Sequence, residues 1–214
     1  MNRLSIILIA IAFVGCECSF AQNQNNNISR KEFEGEITYL ITEEVNWKKV
    51  KWQNNVGDTL KYIYKNGNYK IELNGDGPKT IIYLTNTNTQ YYFNEDGEIY
   101  HTILCDKDKR KIKKTVFEES EGLILGRKCI KKTDVFSNGE IHVFECDTSL
   151  YINPEHYSKH QYMLLNQSIK SLPAQHLRYT FEVKGLFKTI HTAVKIEEFD
   201  IDDRIFQFDL DNIK

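Results

Sequence analysis

Turn dipeptides set between runs of β-branched and aromatic residues recur along this chain, and no other feature narrows its fold as far. Residues 59–65 run into Asn66-Gly67 and return as 68–73. Asn-Gly between apolar runs is the strongest short-range signal of a hairpin, because both central residues of a type I′ turn need positive φ. Residues 79–85 pair with 89–93 across Asn86-Thr87-Asn88, Asp96-Gly97 leads into 98–105, and Asn138-Gly139 leads into 140–146. With 33–44, 111–117, 122–136, 178–183 and 187–199 the count is about eleven strands, spaced as in an antiparallel sandwich or barrel. Only three prolines occur in 214 residues, in keeping with a sheet, since proline removes a ladder donor.

Strict in/out alternation is missing from these strands. Tyr62, Ile63 and Tyr64 are consecutive, as are Ile81, Ile82, Tyr83 and Leu84, and Tyr91, Tyr92 and Phe93. A sheet with one face in water alternates apolar and polar residues, so both faces here call for cover. A curved sheet wrapped on a helix and loops supplies it, and so does a cavity for an apolar ligand; a fully packed core with scattered surface tyrosines satisfies the same pattern. One segment departs from strand character. Residues 153–166 begin with Asn153 as N-cap, Pro154 at the first helical position and Glu155 in the first turn, which predicts the one clear helix. Residues 45–58, with Trp47 and Trp52, read as irregular.

The start of the chain reads as an address. Met1-Asn2-Arg3 is a short positive segment, 4–14 is an apolar run too short to span a bilayer, and small residues follow, as in a secretory signal peptide. Cleavage after Ala21 suits Ser19-Phe20-Ala21, whereas Phe13-Val14-Gly15-Cys16 resembles a bacterial lipobox and would lipidate Cys16. Residues 1–21 are therefore assigned to the signal peptide, 22–31 to a polar, low-complexity leader, and 32–214 to one β-rich domain. No transmembrane span is expected in the mature chain.

Chemistry is harder to find. Removing 1–21 leaves Cys105, Cys129 and Cys146, an odd number for an oxidising compartment. With a two-residue turn at Asn138-Gly139, Cys146 faces Lys131 and Cys129 lies diagonally adjacent, so a strained disulfide or three buried thiols are both open. No G-x-S-x-G, phosphate loop, G-x-G-x-x-G, H-E-x-x-H or C-x-x-C is present, and no cofactor is called for. His156 and His160, at i and i+4 on the predicted helix, form a weak metal candidate with Glu155 or His176. The acidic run 197–203 lacks the Gly and the terminal Glu of an EF-hand and reads as a solvated turn. The basic strip 107–114 reads as a charged edge strand that resists edge-to-edge pairing. In a chain with 28 basic and 30 acidic residues, export makes nucleic acid an unsuitable partner.

The order signal peptide, Phe33-Glu-Gly-Glu-Ile-Thr-Tyr39, a Tyr-Lys-Asn-Gly-Asn-Tyr-Lys-Ile stretch, a Tyr-Tyr-Phe strand and Leu125-Gly-Arg-Lys-Cys-Ile-Lys131, closing on Ile205-Phe206, resembles the secreted Bacteroidota proteins related to the GLPGLI and LolA-like groups. It departs from the hallmark in offering only Gly185-Leu186-Phe187. The resemblance, over residues 33–208, implies a mainly β, half-barrel fold similar to the LolA and LolB lipoprotein carriers: one strongly curved antiparallel sheet with one short helix near 154–166. It implies a non-enzymatic periplasmic or envelope protein, outer-membrane-associated if Cys16 is lipidated, that holds a lipid or other hydrophobic ligand. Tyr39, Ile63, Tyr83 and Phe93 are the expected cavity lining. The alternative is a structural module with a filled core that meets an envelope protein through an apolar surface patch. An enzyme would need the histidines to converge.

Overall fold

In the computed structural model, which describes residues 30–46, 48 and 56–209, eleven strands form one antiparallel sheet. They are β1 Gly35–Val45, β2 Thr59–Lys65, β3 Asn68–Leu73, β4 Thr80–Leu84, β5 Thr89–Phe93, β6 Ile99–Leu104, β7 Ile112–Ile124, β8 Arg127–Phe136, β9 Glu140–Tyr151, β10 Ala174–Val183 and β11 Phe187–Glu198. The expected signal peptide with Cys16, all of the polar leader except Arg30 and Lys31, and both tryptophans lie outside the described residues.

Strand order is β6-β5-β4-β3-β2-β1-β11-β10-β9-β8-β7. Every neighbour is a sequence neighbour except the pair β1–β11, so the sheet is a meander whose first and last strands meet in the middle. Its open edges are β6 and β7, which follow one another in the chain. The sheet is not closed into a barrel, but it is strongly curved: Gln90 of β5 and His142 of β9 have six strands between them in the order and yet line one cavity.

The hairpin turns set the registers. Asn66 (φ 47°) and Gly67 (φ 78°) form the tight turn expected of them, which places Tyr64 opposite Tyr69. A Cβ at Gly67 would lie 2.4 Å from His156 Cβ and 2.7 Å from Thr85 Cγ2, so the turn is also the point where this hairpin packs against the segment that covers the sheet. The reading of 122–136 as one strand is corrected. Leu125 (φ 51°) and Gly126 (φ 75°) turn the chain sharply there, and a non-glycine residue at the first position hid the signal. The register at Asn138-Gly139 also differs from expectation. Gly139 N–H donates to Phe136 O at 3.2 Å, and Val135 pairs with Ile141, so the loop has three residues and not two. Cys146 therefore faces Ile130, and strand alternation turns Cys129 to the opposite face. Of the two readings left open for the cysteines, the structure has the second: Cys105, Cys129 and Cys146 are free, buried thiols, with no Cys129–Cys146 disulfide.

The predicted helix begins where expected but does not continue. Asn153 Oδ1 accepts from Glu155 N–H and caps a short 3-10 turn, Pro154–Tyr157. A second one follows at Tyr162–Leu164, and the α-helix, α1, occupies Leu165–Ser171. Met163 and Leu164 are both left-handed, a conformation costly for non-glycine residues, and they break the helix that the sequence suggests for 153–166.

Over β2–β5, where alternation is missing, both faces of the sheet are covered, while Leu40 of β1 and Val194 of β11 stay exposed. On the concave side Tyr62, Tyr69, Tyr83 and Tyr157 stack in a row, with centroids 5.6, 5.0 and 6.0 Å apart, each pair contributing about 0.5–1.5 kcal/mol beyond burial. On the convex side Ile82, Tyr91 and Phe93 are buried against Ile201 and Phe206 from the segment after β11. There Asp202 caps the turn Asp203–Phe206, and Lys65 holds Asp203 at 2.9 Å. Part of the acidic run thus pins the segment after β11 to the sheet. Of the basic strip, only Ile112–Lys114 belongs to an edge strand, the start of β7; Arg110, in the link from β6, binds Asp108 at 2.5 Å and Glu140 at 3.1 Å.

Candidate ligand-binding cavity

The pleat of β2 and β3 sends Leu60, Tyr62, Tyr69 and Ile71 to the concave face, and β1 adds Tyr39. From the far side of the curve β9 contributes His142 and Phe144, β10 His176 and Tyr179, and β11 His191. Together with Tyr162, Met163, Leu165 and Ser168 above, they line a partly open cavity of about 230 Å³. A second chamber of about 60 Å³ adjoins it beneath α1, sharing Tyr62, Phe144 and Leu165 and adding Lys132 and Cys146. The main cavity exceeds the roughly 150 Å³ that suffices for benzene in an engineered apolar cavity.

The cover is held by a few polar contacts. Gln161 N–H donates to Cys105 O at 2.7 Å, Met163 N–H to Asp108 Oδ2 at 2.8 Å, and Lys132 Nζ to Ser168 Oγ and O at 2.8 and 3.2 Å. The helix α1 buries none of its residues fully and lacks a side-chain N-cap; Leu165 and Ile169 reach the core from it.

Polar groups in the wall are mostly satisfied from within. Tyr39 Oη donates to His176 O at 2.7 Å and accepts from Gln175 at 3.3 Å. Tyr69 Oη receives Gln90 and lies 3.3 Å from His160 Nε2, and Tyr179 Oη sits 3.1 Å from His142 Nδ1. Burial raises the Tyr39, Tyr62, Tyr69 and Tyr179 hydroxyls above their ordinary range. It lowers His160, His176 and His191 to about 4 and also depresses His142. At neutral pH the wall is therefore uncharged.

Of the expected lining residues, Tyr39 lines the cavity. Tyr83 is buried one layer behind it, against Tyr69 at 5.0 Å and His160 at 4.5 Å. Ile63 and Phe93 are corrected: both point to the convex face and pack in the Ile82–Phe206 cluster, because strand alternation pairs the concave face with Tyr62 and Tyr92. The histidine pair is also separated. His156 contacts Glu32 at 3.2 Å, while His160 is buried under Tyr69 and Tyr83; once the helix breaks, the i, i+4 spacing no longer aligns them. Among the described residues no group of three or more His, Cys, Asp or Glu is placed to hold a metal.

No family model matches the chain, and no curated protein resembles it in sequence. Among solved structures, the LolA superfamily protein NE2245 from Nitrosomonas europaea is similar over 83% of this chain and 91% of its own, with a TM-score of 0.39 and 10% identity. No helix among the described residues is long and apolar enough to cross a membrane.

Proposed function

We propose that this chain is a non-enzymatic, exported protein of the bacterial envelope, related to the GLPGLI group, that binds a lipid or other hydrophobic ligand on the concave face of its sheet. The observation that carries the reading is the cavity of about 230 Å³ between the sheet and its cover, walled largely by ring side chains and free of net charge. Such a site binds by removing apolar surface from water, at about 0.8 kcal/mol per buried methylene, and needs no reacting group. The packed-core alternative calls for no such space.

The reading is tested by titrating the protein with a fluorescent fatty-acyl probe, alongside Leu60→Trp, which fills the cavity from β2. Saturable binding that Leu60→Trp weakens by about tenfold or more, without loss of the folded state, is expected. Probe binding that the substitution leaves unchanged would overturn the assignment of the site, and no binding at all would overturn the function.

A further inference from the structure

Two histidines of the cavity wall receive no hydrogen bond at their rings from any described residue. His176 of β10 lies 5.5 Å from Tyr39 and 5.8 Å from Tyr179, centroid to centroid, and His191 of β11 lies 5.6 Å from Tyr179. Their neighbours Tyr39 and Tyr179 are each hydrogen-bonded, to Gln175 and His142 respectively. A neutral imidazole carries one donor and one acceptor, and both rings are only partly buried where they line the cavity, so their nitrogens are open to a ligand there.

We infer that His176 and His191 form the polar subsite of the cavity and receive the head group of an apolar carboxylic acid, which binds with uptake of one proton from solvent. This rests on the hydrophobic-ligand reading above and names its class of ligand. Two imidazoles against one tyrosine offer two hydrogen-bonding positions to a single head group, and a carboxyl meets both with its two oxygens; an alcohol can also bond there but brings no acidic group to couple binding to a proton.

The proton follows from the charges around the site. The titratable groups facing it are Tyr39 from β1, Tyr62 from β2, His142 from β9, Tyr179 from β10, and Tyr69, His160 and Tyr162 across the cavity, with Lys132 and Cys146 beneath α1. Lys132 is matched by Asp134 at 2.9 Å, and Glu140, 3.5 Å from His142, is matched by Arg110. A bare carboxylate would therefore be buried without a partner charge. One added proton resolves this either way, as a carboxylic acid donating to a neutral imidazole or as a carboxylate paired with an imidazolium. Both forms hold the same atoms. Burial, which keeps the two rings neutral in the empty cavity down to about pH 4, means that the proton arrives with the ligand.

The test is calorimetric titration of the full chain with decanoic acid and with decanol at pH 6 and pH 7.5, in two buffers of different ionisation enthalpy. Decanoic acid is expected to take up about one proton per site and to bind at least about fivefold more tightly at pH 6, while decanol affinity stays flat. His176→Gln and His191→Gln, singly and together, should remove the pH dependence for the acid, while decanol affinity, whatever its level in each variant, stays independent of pH. Acid binding without proton uptake overturns the inference, and so does binding of decanol alone; this count on the unaltered protein decides even where a variant fails to fold. Binding of neither compound overturns the hydrophobic-ligand reading as well.

Discussion

Lys132 and Asp134, two residues apart on β8, face each other at 2.9 Å with both side chains almost wholly buried. Thr115 Oγ donates to Asp134 at 2.7 Å, and Lys132 also reaches the carbonyl and hydroxyl of Ser168 on α1. The pair thus joins the sheet to its cover. Burial pulls the Lys132 pKa down, and the Asp134 charge beside it opposes that fall.

Removing one partner leaves the other charged and unpaired. Asp134→Ala is expected to lower unfolding stability by about 3–5 kcal/mol, and Lys132→Met with Asp134→Leu to recover most of that loss. Urea unfolding of the three proteins checks the order.

Acid should destabilise the protein through its histidines. His160, His176 and His191 are held near 4 by burial, against about 6.5 in an unfolded chain. Between those values the unfolded state binds more protons, so stability is complete above about pH 6.5 and declines as pH falls toward 4, by up to about 1.4 kcal/mol per pH unit for each group. Urea midpoints at pH 7, 5.5 and 4.5 measure the slope, and His160→Gln should flatten it.

Gly67 and Gly126 share nearly the same backbone conformation, with φ of 78° and 75°, yet substitution should separate them. Gly126→Ala meets open space and pays only the conformational cost of about 1–2 kcal/mol. Gly67→Ala must also displace His156 and Thr85, and is expected to cost at least about 1 kcal/mol more. Thermal unfolding of the two variants gives the difference.

Burial pushes the Cys105 and Cys129 thiols up to about 11 and raises Cys146 further. Since the thiolate is the reactive form, alkylation of these three should be at least about tenfold slower in the native protein than in urea. Mapping modified peptides against time follows each one.

The strands were legible because turn chemistry is local. Asn66-Gly67 alone determines that Tyr64 opposes Tyr69, and the adjoining strand then brings Tyr83 against Tyr69. The choice between Tyr62 and Ile63, or between Phe93 and Tyr92, was not legible, because both faces of those strands are apolar and the pattern does not say which one is concave. The cavity wall was hidden for a different reason: Tyr39, His142, Tyr179 and His191 come from four strands, and they meet only through the β1–β11 pairing and the curvature. A signal did exist in His142-Val-Phe144, whose rings share one strand face. The break in the predicted helix had none, since Met163 and Leu164 are ordinary helix formers that here adopt left-handed geometry.

The most direct measurement is native mass spectrometry of the protein purified under mild conditions from an envelope extract, followed by organic extraction and analysis of anything released. A protein that carries a hydrophobic ligand in this cavity will show an added mass on the folded chain that yields a hydrophobic compound on extraction and is lost from Leu60→Trp. A bare polypeptide that also refuses fatty-acyl probes would contradict the hydrophobic-ligand reading.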